Sequence, residues 1–161
     1  MLIRETALLR LLGLRIPVLL FLRPRVLELS DEGCAVEIPL CWQSRNHLGS
    51  MYLGALCAGA DLASGLNAVR AIRSSRSSVV PIFRDLRAEF LKRADGDVVF
   101  RSRDGRAAAE AVRQAHETGE RITLPVSVVA TVPRKYGDEP VARFTMGLSV
   151  KRRDASRARA A

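Results

Sequence analysis

Arg45–Ala68 reads RNHLGSMYLGALCAGADLASGLNA, and its reading decides the fold. Small residues crowd it, charge is nearly absent, and one carboxylate, Asp61, stands in the middle. Ser50 is a candidate N-cap, and apolar or small residues occupy every face until Arg70, so the pattern predicts a helix buried on all sides. Gly54, Gly59 and Gly65 each lower helix propensity by about 1 kcal/mol relative to Ala. They also let other backbone approach closely. A lone acid in such a helix needs a partner or a task, because an unpaired buried carboxylate costs several kcal/mol.

Working outward, RVLELSDEGCAVEIPL (25–40) alternates as two short strands about a turn at Asp31-Glu32-Gly33. After the helix, RAIRSSRSS (70–78) reads as a helix end and polar loop. VVPIFRDLRAEFLKRADGDVVFRSR (79–103) has the pattern of a hairpin: a strand to Arg93, a turn at Asp95-Gly96, and a return through Val98 to Phe100. DGRAAAEAVRQAHETG (104–119) predicts a helix with Asp104 near its start and Gly119 as its stop. RITLPVSVVATV (121–132) and PVARFTMGLSVKR (140–152) read as two long strands joined by PRKYGDE, with Pro125 at a bulge or an edge. The order is helix, two strands, buried helix, two strands, helix, two strands. One antiparallel sheet curled around a central helix satisfies it, an α+β arrangement. No glycine-rich fingerprint follows a strand, which excludes a parallel dinucleotide fold.

The chain has 161 residues, 48% of them hydrophobic and 27% charged, and a formal net charge of +9. That fits one domain with a substantial core, here taken as 1–151 with a basic flexible tail at 152–161. The basic balance favours anionic partners. Nucleic acid is one candidate, disfavoured by the few stacking platforms that five Phe, two Tyr and one Trp offer, and a phosphorylated small molecule such as a nucleotide or coenzyme A fits the charge equally well. Cys34, Cys41 and Cys57 form no CxxC pair and leave an odd thiol, as expected in a reducing compartment such as the cytoplasm. Residues 1–22 read as an N-terminal amphipathic helical segment ending near Pro17. Arg10 and Arg15 interrupt it, so its uncharged runs fall far short of the roughly 20 residues a membrane span needs.

No GxSxG elbow, HExxH motif or phosphate loop occurs, and His47 and His116 stand far apart without a metal-ligand companion. No metal is expected. Catalysis would rest on a carboxylate, amides, backbone N–H groups and water.

The segment NHLGSMYLGALCAGADLASG resembles the helix signature of hotdog-fold acyl-CoA thioesterases, particularly the phenylacetate-pathway type. That signature has an Asn, a Gly, then His-Gly-Gly, with an acid on the helix nine residues after the His. Here Asn46 takes the asparagine place, with one extra residue before Gly49. Tyr52 stands where the His would be, Leu53 and Gly54 where the glycines would be, and Asp61 where the acid would be. EFLKRADGDVVFRSR looks like the strand-turn-strand that follows. The resemblance covers most of residues 24–151 and is nearest a branch described as tetrameric acyl-CoA thioesterases. The helix at 105–118 departs from it, lying where the family has a shorter link.

The resemblance implies a hotdog fold and a homo-oligomeric thioesterase hydrolysing a fatty or aryl acyl-CoA. Asp61 would be general base or nucleophile, with the Gly54 N–H, at a helix start, as oxyanion donor. Spaced seven residues apart on one helix, the two sit about 10.5 Å from each other, so one thioester carbon meets both only if a second chain supplies one of them. Asn46 would orient water or the acyl carbonyl. Tyr52, His47, Gly49 and Ser50 are candidate substrate contacts, and Arg84, Arg87, Lys92 and Arg93 candidates for coenzyme A phosphates. Coenzyme A enters as part of the substrate, and no cofactor is expected. The alternative is a hotdog protein that binds an acyl-CoA or fatty acid without turnover.

Overall fold

A computed structural model describes residues 2–13 and 16–153. In chain order the elements are α1 (Ile3–Gly13), α2 (Pro17–Leu22), β1 (Arg25–Leu29), β2 (Cys34–Ile38), α3 (Leu53–Ser74), β3 (Val79–Phe90), β4 (Val98–Ser102), α4 (Gly105–Thr118), β5 (Ile122–Thr131), α5 (Pro133–Tyr136) and β6 (Pro140–Arg152). The six strands form one antiparallel sheet in the order β1-β2-β4-β5-β6-β3. It wraps α3, as the small-residue helix required, and the architecture is the expected α+β hotdog fold.

The sheet side of α3 sets the main core. Ala55, Leu56, Ala60 and Ala63 pack against Ile38, Val98, Phe100, Val128, Phe144 and Met146. At Gly59 a side chain would overlap the Phe100 ring, so the helix lies directly on that aromatic. Ser64, interior to the helix, turns its Oγ to the Ala60 carbonyl at 2.8 Å. A second cluster forms where α4 covers the far end of the sheet. Ala108, Ala111, Val112 and Ala115, at helical spacing, meet Ala68, Val126, Leu148 and Val150. The N-terminal helices close a third, with Leu9 and Leu19 against Val26, Val36 and Leu62.

Three expectations are corrected. Residues 79–103 are not a hairpin: β3 ends at Phe90, not Arg93, and pairs with β6, whereas β4 pairs with β2 and β5. The chain only bends at Gly96, without a hydrogen-bonded turn at Asp95-Gly96, and there it passes from the sheet edge to its middle. A turn signal fixes local direction and leaves the partner strand to be decided by packing. Ser50 does not cap α3. Tyr52 is the N-cap and makes no side-chain capping bond, because Ser50 is held inside the preceding loop by Asn46. Pro17 opens α2 rather than ending a helix, at a first-turn position where its missing N–H costs nothing.

Other expectations hold. Asp104 is the α4 N-cap and Gly119 its left-handed C-cap, at φ 76°. The Asp104 carboxylate accepts the Ser127 N–H at 2.7 Å, where β4 no longer reaches β5. Pro125 lies in that same uncovered reach of β5, on an edge where its absent N–H is not missed. Of the basic tail, residues 154–161 lie outside the described residues.

Candidate active site

The loop between β2 and α3 is closed by its own side chains. Asn46 Oδ1 accepts the Leu48 N–H at 2.9 Å and the Ser50 N–H at 3.2 Å, while Nδ2 donates to Ser50 Oγ at 3.1 Å. Gly49 completes the turn with φ 76°, donating its N–H to the Asn46 carbonyl at 3.1 Å. Two backbone bonds then dock the loop: Met51 N–H to the Ala94 carbonyl and Tyr52 N–H to the Ser44 carbonyl, each 2.7 Å. The structure therefore gives Asn46 a loop-building role at the mouth of the helix. His47 lies exposed beside it.

Gly54 is the second residue of α3, so its N–H belongs to the first turn, where amides have no acceptor within the helix. Tyr52 is 57% exposed and folds its ring back over this turn. A Cβ on Gly54 would lie 2.6 Å from Tyr52 Cε1, so the absence of a side chain is what seats the ring. Leu48 and Leu53 are exposed alongside, and Trp42 meets Phe21 edge to face at 5.5 Å between ring centroids.

Asp61 follows two turns along α3. Contrary to the sequence expectation, the helix is not buried all round: Gly54, Cys57, Ala58, Asp61 and Gly65 form a stripe that the sheet leaves partly open. Among the described residues the Asp61 carboxylate makes no hydrogen bond or ion pair, and burial pushes its pKa above the ordinary 3.8. Burial also raises the Cys57 thiol. Asp61 borders an apolar groove of about 290 Å³ walled by Leu9, Ile16 and Leu19 from the N-terminal helices, Leu62 and Leu66 from α3, and Phe83 from β3. Leu66 is half-buried where it lines this groove. Leu56 is buried in the main core, and Phe90 is exposed at the end of β3.

The cationic candidates are dispersed. Arg84 and Arg87 are exposed on β3, Arg93 is exposed beyond it, and Lys92 pairs with Glu139 at 2.5 Å. Gly54 and Asp61 share one helix, with the separation the sequence implied. Sequence reasoning missed Leu9, Ile16 and Leu19 as groove walls. Their signal was the apolar character of residues 1–22, which carries no indication of what it packs against. Among the described residues no three His, Cys, Asp or Glu side chains cluster as metal ligands would, and no helix is long and apolar enough to cross a membrane.

A six-stranded antiparallel sheet wrapped around one long central helix is the hotdog architecture, and here that helix carries Asp61 beside an apolar groove. Within that class the chain belongs to the family described as Domain of unknown function (DUF4442), whose profile matches residues 4–150. No curated protein matches the sequence. Among solved structures, it is similar to PA5026 from Pseudomonas aeruginosa, a protein of unknown function described as a probable thioesterase. Identity is 22%, coverage 90% of this chain and 93% of that one, and the TM-score 0.75. A protein of unknown function from Chlorobaculum tepidum shares 10% identity over 92% and 95% of the two chains, with a TM-score of 0.79. Thioesterase HI1161 from Haemophilus influenzae shares 12% over 89% and 90%, with a TM-score of 0.63.

Proposed function

We propose that the protein is an acyl-CoA thioesterase of the cytoplasm, working as a homo-oligomer of hotdog subunits. The observation that carries this reading is the Asp61 carboxylate, without a partner among the described residues, beside an apolar groove. A hydrophobic acyl group would lie against Leu19, Leu62, Leu66 and Phe83, bringing its thioester carbonyl to the acid. Asp61 would take a proton from water, the hydroxide would add to the carbonyl carbon, and the protonated Asp61 would return its proton to the departing thiolate. The oxyanion needs a donor that Gly54 of the same helix, about 10.5 Å away, cannot be.

A second copy with its α3 antiparallel would supply that Gly54 N–H. Two features favour such a copy. The open stripe on α3 is made of small residues, and β3 is a sheet edge bearing Ile82 and Phe90, 48% and 50% exposed. Unpaired edges with apolar side chains are templates for strand addition.

The test is thiol release from short, medium, long and aryl acyl-CoAs, with the oligomeric state measured by light scattering. Hydrolysis by wild type, lost in Asp61→Ala, is the expected result. Equal activity in Asp61→Ala, or a monomer that is fully active, removes the assignment. One observation favours binding without turnover: the Tyr52 ring covers the first turn that holds Gly54. Under that reading acyl-CoA binds with measurable heat but no thiol is released, and Tyr52→Ala raises no activity.

A further inference from the structure

The short helix α2 and the loop after β2 place apolar side chains on the outside of the molecule, in contact with each other. Leu19 and Leu22 turn into the core, while Val18 and Phe21, three residues apart on one side of the helix, are 54% and 48% exposed. The Phe21 ring meets that of Trp42, itself 68% exposed, so helix and loop form one surface. Scattered apolar residues on a surface are ordinary, but a contiguous set that includes the one Trp of the chain marks a place of contact. Ile16, just before α2, is exposed and also walls the acyl groove, so the groove reaches the border of this patch.

We propose that this patch docks on the surface of an anionic phospholipid bilayer. Charge decides for a lipid surface over another apolar face. Residues 16–24 and 39–52 contain no Asp or Glu, but they carry Arg23, two residues after Phe21, and Arg45, three after Trp42. Both arginines are exposed, and neither has an acidic partner among the described residues. Of the acids flanking these segments, Glu37 is held by Arg25 at 2.9 Å and Asp97 accepts the Leu40 N–H at 2.8 Å. Apolar side chains beside free cations match a leaflet whose hydrocarbon begins beneath a layer of phosphates. Trp favours that boundary, because its ring is apolar and its N–H is not. So few side chains give shallow, reversible seating rather than an anchor. Phe21 leads into β1 and Trp42 follows β2, at the other end of the sheet from β3, so the patch is separate from the edge offered to a second copy.

Trp42 reports the docking directly, since no other Trp contributes to the emission. The full chain is titrated at physiological ionic strength with vesicles of phosphatidylcholine alone and mixed with phosphatidylglycerol. With the mixed vesicles the Trp42 emission moves to shorter wavelength, and lipids brominated in their acyl chains quench it. Val18→Glu, at an exposed position, weakens binding about tenfold. Arg23→Gln and Arg45→Gln each weaken it about fivefold, the factor for one cation near a charged leaflet. Arg101→Gln, which removes an equal charge from the exposed side of β4, changes it by no more than about twofold. Emission unmoved by the mixed vesicles overturns the proposal, as does equal binding to phosphatidylcholine alone. Binding that survives Val18→Glu intact, or that Arg101→Gln weakens as much as Arg23→Gln does, also overturns it, since net charge alone would then be the cause. Emission already shifted without vesicles, and varying with protein concentration, overturns it in favour of a second copy. None of these readings requires turnover, so the docking and the thioesterase assignment stand or fall separately.

Discussion

The two sides of α3 are made of similar small residues and meet opposite conditions. Toward the sheet, Gly59 lies against the Phe100 ring and Ala60 and Ala63 are fully buried. Away from the sheet, Gly54, Cys57, Asp61 and Gly65 are only partly covered, and the acid among them has no described partner. On the first side smallness serves contact already made within the chain. On the second it leaves room, and the one acid of the helix is kept there. Local violations of packing logic concentrate where a protein binds or reacts.

The contrast can be broken most severely at Asp61. Asp61→Asn keeps the shape and removes the base, so thiol release from acyl-CoA should fall about 10²–10⁴-fold. Unchanged turnover would make the open side structural after all. On the closed side, Phe100→Ala should cost about 3–5 kcal/mol in urea unfolding. A finer comparison places one methyl group on each side. Gly59→Ala drives it into the Phe100 ring and should cost about 1–3 kcal/mol. Gly54→Ala meets only the exposed Tyr52 ring, which can swing away, and should stay within about 1 kcal/mol despite the similar residue type. Equal costs would erase the distinction.

The smallest effect is in pH dependence. Burial raises the Asp61 pKa above 3.8, so ionising it in the folded chain is harder than in the unfolded one. Wild type should therefore lose stability relative to Asp61→Asn as pH rises from about 3.8 through the folded value, and the two should converge in stronger acid. The acid limb of the rate profile should fall above 3.8 for the same reason. A stability difference that grows toward low pH would reverse the sign and imply a cationic partner for Asp61.

The central helix, the flanking strands and α4 were legible because their patterns are local: small residues across one long segment, period-two alternation, and a left-handed Gly119 at a helix end. The pairing of β3 was not. Its alternation identifies a strand, but the strand it meets is chosen by the curvature of the whole sheet, and the nearby Asp95-Gly96 turn signal points to the wrong neighbour. At the candidate site, Asp61 and Gly54 stood out as an anomalous charge and an early helical glycine. The groove walls from α1 and α2 did not, since apolar residues do not specify their contacts. Nor did the engagement of Asn46 with Ser50, which depends on the loop closing.

The position of β3 also has a consequence during synthesis. Its strand partner within the chain is β6, which ends about 60 residues after it. At roughly 5–20 residues per second, that stretch takes about 3–12 s to emerge from a ribosome. For that interval Ile82, Leu86 and Phe90 stand on a strand with neither of its edges paired. Arg84, Asp85, Arg87 and Glu89, set between them, are charges of the kind that oppose the joining of neighbouring nascent chains.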